Sequence, residues 1–176
     1  AYPEIKIKDE LYVGNEAQRL LTERVYDLVI TPTPVKGTHI QSVSFLPDRV
    51  YLSVPIENKL SECESISMCE IPAQPLLYPQ IGGYFLIQIE KIILENKLPI
   101  TLIKNNFNIT QHMIRTTNFL TTISTLSLDL RNDGTHRKLV PMNDPELNVI
   151  YHISFLKSNR EKVSPFLQWG NAACTA

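Results

Sequence analysis

Residues 75–103 read PLLYPQIGGYFLIQIEKIILENKLPITLI, and this stretch decides the fold class. Its opening PLLY is a short apolar run bounded by prolines, as is typical of a buried strand. Gly82 and Gly83 then open a segment whose apolar residues recur at helical spacing to about Asn96. The stretch closes on PITLI, which is apolar and β-branched again. The order strand, helix, strand predicts one unit of an α/β protein.

The same alternation runs along the rest of the chain. Strands are predicted at 4–8, 26–30, 38–45, 49–54, 75–78, 99–103, 119–130, 139–141 and 148–156. Helices are predicted at 14–24 and 82–96, after an N-cap at Asn108, and from Ser164-Pro165 onward. Such alternation indicates mainly parallel pairing, which brings the carboxyl ends of strands to one edge. The extended pieces at 49–55 and 148–156 look like connectors, so two lobes with a cleft between them are expected.

Composition excludes several classes of function. Hydrophobic residues make up 43% and charged residues 20%, as in ordinary soluble globular proteins. The 17 basic and 18 acidic residues give a net charge of -1, which argues against direct binding of nucleic acid or an anionic membrane. No apolar run reaches the ~20 residues of a membrane-spanning helix. Cys63, Cys69 and Cys174 are odd in number and lack metal-ligand spacing, which suggests a reducing compartment.

Catalytic chemistry finds little support in the residues. The histidines lack metal-ligand spacing and stand beside no nucleophile motif. They are His39, His112, His136 and His152. No P-loop or dinucleotide glycine motif occurs, and Asp129 and Asp133 are explained by an ordinary turn. We therefore predict no enzyme, no catalytic residue, no metal and no cofactor.

Two short stretches have the chemistry of a small-molecule site. In YPQIGGYF, residues 78–85, a strand end and two glycines precede a helix start, whose exposed amides suit a carboxylate or oxyanion. A tight strand-to-helix turn would also explain the glycines. The second stretch is YDLVITPTP, residues 26–34, where an aliphatic strand runs into Thr31 and Thr33, each followed by proline. Its hydroxyls can donate and accept, although a plain rigid loop is the alternative. The segment 56–69 between the two stretches is polar and is predicted to be a solvated connection.

Taken in order, several segments resemble the effector-binding domain of LysR-type bacterial transcription regulators. YPEIKI (2–7) is similar to the end of that domain's first helix and its next strand, and LLTERVYDLVI (20–30) to its helix-then-strand segment. DRVYLSVPIENKL (48–60) is similar to the strand followed by a Pro-x-x-x-x-Leu crossing. ISMCEIPAQPLLYP (66–79) resembles the loop and strand after it. The shared order covers nearly the whole chain.

The resemblance implies an α/β chain with a two-lobed type 2 periplasmic-binding-protein-like fold, in which mixed sheets are flanked by helices. Lobe I would comprise 1–54 plus 150–176, and lobe II 55–149. The family's first strand is expected to be missing. Its DNA-binding domain is also expected to be absent from this chain, so that DNA would be bound only through that domain.

In this family an effector binds in the cleft between the lobes. By position, the resemblance places eight residues there: Thr31, Thr33, Tyr78, Gln80, Gly82, Gly83, Thr117 and Asn118. Thr117, Asn118 and Phe119 stand where the family has a Gly-x-Gly turn before an apolar strand. A small polar or anionic effector is expected, in a cytoplasmic protein.

The resemblance also implies a homodimer or homotetramer with no membrane partner. The strand at 5–7 and the helix at 84–95 are the predicted interface, with Ile87 off the core-facing stripe of that helix. The alternative function is a solute-binding receptor of a transport system with the same fold, and an enzyme on that fold is the third class. A domain that mainly holds an oligomer together is the outcome expected if no small molecule binds.

Overall fold

A computed structural model describes residues 6–8, 16–80, 83–130, 134 and 136–173, with the backbone alone at 130 and 169–173. Seven strands occur in it: Leu28–Thr31 (β1), Ile40–Pro55 (β2), Pro75–Pro79 (β3), Thr101–Asn105 (β4), Leu120–Ser124 (β5), Arg137–Pro141 (β6) and Asn148–Leu156 (β7). The α-helices are Glu16–Thr22 (α1), Gly83–Glu95 (α2), Phe107–Thr116 (α3) and Arg160–Ala173 (α4). The chain divides into two compact units, unit 1 (1–46 with 151–176) and unit 2 (47–150).

Unit 2 is built on the predicted strand, helix, strand stretch. β3 pairs in parallel with β4 on one side and with β5 on the other. Helix α2 connects the neighbours β3 and β4, and helix α3 connects β4 to β5 on the other side of β3, because parallel strands need crossover connections. The second half of β2 pairs antiparallel with β5 and with β6.

The pairing is mixed, as the fold class implied, and the expectation of mainly parallel strands is wrong. β1 pairs antiparallel with β7, and β2 pairs antiparallel with two strands. The parallel order is confined to β3, β4 and β5, the strands that crossover helices connect. The antiparallel pairs join strands that lie far apart in the sequence, so no short connection sets their direction.

The core of unit 2 lies between the strands and α2, and it reaches into the segment that was expected to be solvated. Leu52, Leu120 and Ile89 are fully buried in it, from β2, β5 and α2. Met68, from the connection 56–69, is fully buried beside them. The buried Asp144 carboxylate fixes that connection, because it accepts hydrogen bonds from the Ser67 hydroxyl and the Met68 amide, both at 2.9 Å. The prediction of a solvated connection is therefore wrong for Ile66 and Met68, whereas Glu57, Glu62 and Glu64 are exposed as predicted.

Unit 1 has two smaller apolar clusters. Its strand β7 lies between β1 and β2, with Ile30 of β1 opposite Ile153 of β7. One cluster gathers around α1: Ala17, Leu21, Val29, Ile40 and Leu156. The other lies under α4: Ile153, Phe155 and Val163, with Leu28, Val43, Phe45, Phe166 and Leu167 partly buried against it.

Several predicted boundaries are wrong. Residues 38–45 and 49–54 belong to one strand of 16 residues, because the chain stays extended through Pro47. The predicted strand 119–130 ends at Ser124 and continues as a 3-10 helix over Thr125–Leu130. Asn106, not Asn108, caps α3, and its Oδ1 accepts from the Ile109 amide at 2.9 Å.

Helix α4 begins at Arg160, earlier than the predicted start at Ser164-Pro165. Pro165 lies inside the helix, where it removes one backbone donor. A 3-10 turn at Lys157–Asn159 leads directly into Arg160, so the helix has formed before the proline and continues through it to Ala173.

Some predictions fall on residues outside the described part. Of the strand predicted at 4–8, residues 4 and 5 lie outside it, and Lys6–Lys8 form no strand. The predicted helix start at Gly14 and residues 131–133 and 135 of the predicted turn 131–137 also lie outside it. Within the described ranges, no helix has the length and apolar character to cross a membrane.

Candidate functional site

The carboxyl ends of three parallel strands meet at one edge of unit 2. The parallel registers Leu77↔Ile103 and Leu77↔Thr121 bring the ends of β3, β4 and β5 to the same side. The chain leaves β3 through Gln80, whose amide donates to the Asn105 carbonyl at the end of β4 at 2.6 Å. We call this side, defined by Tyr78–Gln80, Asn105 and Ser124, the carboxyl edge. Ligands of open α/β sheets collect at such edges.

Two helices begin at the carboxyl edge, after β3 and after β4. Gly83 is the first residue of α2 and has φ +58, a left-handed conformation that favours glycine. A Cβ at Gly83 would meet no atom within 4 Å, so this backbone is open to an approaching molecule. The first amides of α2 and the positive end of its dipole suit a negatively charged oxygen. Gly82 lies outside the described residues.

A buried acid also lies at the carboxyl edge, and sequence reasoning missed it. Asp48 is 4% exposed, and its Oδ1 accepts a hydrogen bond from the Leu126 amide, just beyond β5, at 3.2 Å. Burial raises the pKa of the Asp48 carboxyl, and the hydrogen bonds from Leu126 and Ser124 offset part of that rise. Ser124 and Ser127 also exchange a hydrogen bond at 3.1 Å. Asp48 thereby fixes the turn that follows β5.

Thr117 and Asn118 lie at the opposite edge of the same strands. They precede β5, whose first residue Leu120 pairs in parallel with Leu76 near the start of β3. The Thr117 hydroxyl donates to the Met113 carbonyl at 2.7 Å, so it closes the end of α3. The structure therefore does not bring Thr117 and Asn118 together with Tyr78, Gln80 and Gly83.

Arg137 of β6 organises this opposite edge. Its guanidinium donates to the Ile114 carbonyl at 3.2 Å, the Phe119 carbonyl at 2.6 Å and the Ser53 carbonyl at 2.8 Å. A cation at the carbonyl end of α3 is favoured by the helix dipole. Arg137 thereby fixes the backbone on both sides of Thr117 and Asn118, through the carbonyls of Ile114 and Phe119.

In unit 1, the two threonines of the TPTP stretch lie at the end of β1. The half-buried Thr31 donates its hydroxyl to the Thr33 carbonyl at 2.7 Å, which folds the stretch back on itself. Thr33 is exposed. Val35 then returns to the sheet. The Val35 amide donates to the hydroxyl of the fully buried Ser154 at 3.3 Å, and the Ser42 hydroxyl donates to the Val35 carbonyl at 2.9 Å. These hydrogen bonds tie the loop to the sheet at Val35 and leave Thr33 exposed.

His152 lies directly opposite Thr31 in the antiparallel pair of β1 and β7. Directly opposed residues share one face of a sheet. The Nδ1 atom of His152 is buried and has no hydrogen-bond partner among the described residues. Buried polar atoms are rarely left unpaired, so this nitrogen is a candidate for contact with a ligand or water. His152 lies within an apolar strand pattern, so the sequence did not mark it as a ligand-binding residue.

Within the ranges that the structure describes, no group of three or more His, Cys, Asp or Glu side chains could hold a metal ion. The chemistry that both units offer is hydrogen bonding by hydroxyls, amides and helix ends.

Comparison with known proteins identifies the fold. No protein-family model and no curated protein sequence matches the chain. The regulatory domain of Synechocystis PCC6803 CcmR, in complex with 2-PG, matches with a TM-score of 0.69 and 11% identity over 98% of this chain and 85% of that one. The reduced OxyR regulatory domain of Pseudomonas aeruginosa matches with a TM-score of 0.66 and 15% identity over 95% and 80%. The BenM effector-binding domain with its effector benzoate matches with a TM-score of 0.60 and 16% identity, over 91% of this chain and 78% of that one.

These matches are regulatory and effector-binding domains of LysR-type regulators. The chain therefore has their periplasmic-binding-protein-like fold, as the resemblance in its sequence implied. At such low identity the likeness establishes the fold, and the function has to come from the residues of the chain itself.

Proposed function

We propose that this chain is the ligand-sensing regulatory domain of a LysR-type transcription regulator. The observation that carries the proposal is the match of 98% of the chain to the CcmR regulatory domain, a domain solved with a bound small molecule. The BenM domain, solved with benzoate, supports it in the same way. A cytoplasmic location and DNA binding through another domain belong to the same proposal.

The proposed effector is a small polar or anionic molecule. In unit 2 it would contact the carboxyl edge at Tyr78, Gln80, Gly82 and Gly83, where strand ends and the first amides of α2 offer hydrogen bonds. In unit 1 it would contact the hydroxyl groups at the end of β1. Those hydroxyl groups belong to Thr31 and Thr33. His152, which lies opposite Thr31 in the sheet, is a further proposed contact. Thr117 and Asn118 lie at the other edge of the β3–β5 strands and are left out of the proposal. The cleft itself stays a prediction.

The mechanism we propose is a shift of a conformational equilibrium. An effector that binds one arrangement of the protein more tightly than another raises the population of the first. The shift is limited by the difference in affinity between the two arrangements. Through the oligomer, that change would reach the DNA-binding domains.

We propose that α2 forms part of the interface of a homodimer or homotetramer. Ile87 and Leu94 are 43% and 78% exposed and lie seven residues apart, which puts them on one face of the helix. The change Ile87→Asp would place a charge in that interface, so we expect a dimer to dissociate in analytical ultracentrifugation. Gln88→Asp, on the same helix, is the control, and a dimer that survives Ile87→Asp would show that the surface is wrong.

A thermal-shift screen against small organic acids, amino acids and inorganic anions tests ligand sensing. A molecule that binds the native state raises its stability with the logarithm of concentration over the dissociation constant. We expect at least one hit, which Thr33→Val abolishes by removing an exposed hydroxyl from the end of β1. Thr38→Val is the matched control, because Thr38 is exposed in the same unit but lies outside the proposed site. A hit that survives Thr33→Val and Gly83→Ala would refute these contacts, and a chain that binds nothing would refute sensing by this domain.

A further inference from the structure

The sheet of unit 2 is packed unequally on its two faces. Helix α2 covers one face with four buried apolar side chains, Phe85, Leu86, Ile89 and Ile92. Helix α3 leads from β4 past β3 to β5, in the opposite direction along the sheet, so a right-handed crossover places it on the other face. The buried residues of α3 are Thr110 and Ile114, of which one is a large apolar residue. Apolar packing therefore holds α3 much more weakly than α2.

Helix α3 also buries polar groups and exposes apolar ones. Thr110 is 0% exposed, and the Nε2 atom of Gln111 is buried without a hydrogen-bond partner among the described residues. Phe107 and Ile109, in the first turn of the helix, are 51% and 46% exposed. A buried donor without a partner costs free energy, which is recovered when water reaches it. Release of α3 from the sheet is therefore opposed by few apolar contacts and favoured by hydration of Gln111.

Hydrogen bonds hold α3 to the rest of unit 2 near both of its ends. Near its start, the Thr110 hydroxyl donates to the Asn105 carbonyl at the end of β4 at 3.3 Å. Near its end, the Arg137 guanidinium donates to the Ile114 carbonyl at 3.2 Å and to the Phe119 carbonyl, which follows the helix, at 2.6 Å. A helix of 10 residues is about 15 Å long, so the two sets of contacts lie towards opposite edges of the strands. The Arg137 contacts are the stronger set, because a charged donor makes stronger hydrogen bonds than a hydroxyl.

The Asn105 carbonyl connects α3 to the carboxyl edge. It accepts a hydrogen bond from the Gln80 amide at 2.6 Å as well as the one from the Thr110 hydroxyl. Gln80 is the residue through which the chain leaves β3 towards Gly83, where α2 begins. When α3 leaves the sheet, it withdraws the Thr110 hydroxyl and frees the segment at Asn105 to move. The position of α3 therefore acts on the backbone at Gln80.

We propose that α3 is a conformational switch, which leaves the sheet as one unit while the α2 face stays folded. Arg137 holds α3 in the docked state, and release of α3 loosens the carboxyl edge at Gln80. Parts of a native protein open separately from the rest when few buried apolar contacts hold them. The switch goes beyond the proposed effector and does not rest on it, because each contact involved belongs to unit 2 of the ligand-free chain.

The test is hydrogen exchange of single amides in the ligand-free chain, followed in ¹H–¹⁵N spectra at several urea concentrations below the unfolding transition. After correction for intrinsic rates, we expect the Met113 and Ile114 amides to exchange at least about 100-fold faster than the Ile89 amide of α2. Local opening exposes little surface, so urea should change the α3 rates little, whereas the Ile89 rate should rise steeply. Equal rates with equal urea dependence would mean that α3 opens only when all of unit 2 unfolds, which would overturn the proposal.

Three variants separate release of α3 from unfolding of unit 2. Ile89→Val weakens the packing under α2, so the amide at position 89 should exchange about fivefold faster, while Met113 and Ile114 stay within about twofold. Arg137→Met removes the contacts that hold the docked state, so the Met113, Ile114 and Gln80 amides should exchange at least about tenfold faster. Gln111→Leu removes the buried donor without a partner and should slow exchange of Met113 and Ile114 by about tenfold.

Lys138→Met is the matched control for Arg137→Met, because it removes the same charge from the exposed neighbour on β6. It should leave exchange of the α3 amides within about twofold. Acceleration of the α3 amides in Ile89→Val by the same factor as position 89, or equal acceleration in Lys138→Met and Arg137→Met, would overturn the proposal. Faster α3 exchange in Arg137→Met with an unchanged Gln80 amide would contradict the connection to the carboxyl edge. Failure of the effector screen leaves these rates unaffected, so the two proposals fail separately.

Discussion

The two units hold their candidate ligand-binding segments, the carboxyl edge and the TPTP loop, by different means. In unit 2 one large apolar cluster fixes the parallel strands, and the carboxyl edge follows from their shared direction. In unit 1 two small clusters support β1, and hydrogen bonds through Ser42 and Ser154 hold the TPTP loop. The difference teaches that the packing of parallel strands places most backbone groups of the carboxyl edge, whereas the exposed TPTP loop depends on side-chain hydrogen bonds. Substitutions should therefore act differently in the two units.

The same core substitution in each unit should show the largest contrast. Leu120 and Leu21 are both fully buried, one in the large cluster of unit 2 and the other in the small cluster around α1. We expect Leu120→Ala to cost about 4 kcal/mol of unfolding free energy and Leu21→Ala about 2–3, because a small cluster near the surface can collapse around the cavity. Urea denaturation of both variants measures this. Equal costs would show that the clusters are equally well packed and would break the contrast.

Substitutions of side chains that hydrogen-bond to the backbone should have the next largest effect on the unfolding free energy. Arg137→Met removes donors from the carbonyls of Ile114, Phe119 and Ser53, and we expect a loss of about 2 kcal/mol. Lys138→Met, next to it on the exposed side of β6, should change stability by less than about 0.5 kcal/mol. Urea denaturation distinguishes the two, and similar losses would mean that charge, rather than carbonyl binding, matters at position 137.

In unit 1 the corresponding side chain that hydrogen-bonds to the backbone is Ser154. Ser154→Ala removes the acceptor of the Val35 amide and a hydrogen bond with Ser42, and we expect a loss of about 1 kcal/mol. The Val35 amide should also exchange its hydrogen faster with solvent. Ser158→Ala, an exposed serine of the same unit, is the control. An unchanged exchange rate at Val35 would show that the loop is held by something other than this hydroxyl.

The smallest expected effect is a pH dependence at Asp48. Burial raises the pKa of its carboxyl in the folded chain, so the folded state holds the proton more tightly than the unfolded state does. The Asp48 contribution to stability is then fully present below the unfolded pKa and is lost as pH rises through the folded pKa. The stability of Asp48→Asn relative to the wild type should therefore increase as pH rises from acidic to neutral. Denaturation at several pH values checks this, and a gain of the variant at low pH instead would contradict the direction.

Much of the fold could be predicted from the sequence because it depends on local patterns. Strand β7 runs from Asn148 to Leu156 as predicted, and α2 begins at Gly83 and ends at Glu95, close to the predicted end at Asn96. Both carry apolar residues at a regular period, which follows directly from the face that each element buries. The periodic segments also gave the α/β class.

What could not be predicted depends on contacts between distant parts of the chain. Asp48 stands between Pro47 and Arg49 like a loop residue, and its burial follows from Leu126, far along the chain. Helix α4 begins five residues before Pro165, although proline favours the first turn of a helix, because the preceding 3-10 turn leads directly into Arg160. The separation of Thr117 and Asn118 from Gly83 required the strand register, which no local pattern contains.

The most direct test of the central claim is a ¹H–¹⁵N titration of the chain with a hit from the effector screen. We predict that the amide signals of Thr33, Gln80 and Gly83 move together, with one dissociation constant. Movement confined to Thr117 and Asn118, with Thr33, Gln80 and Gly83 unmoved, would contradict the proposed effector site.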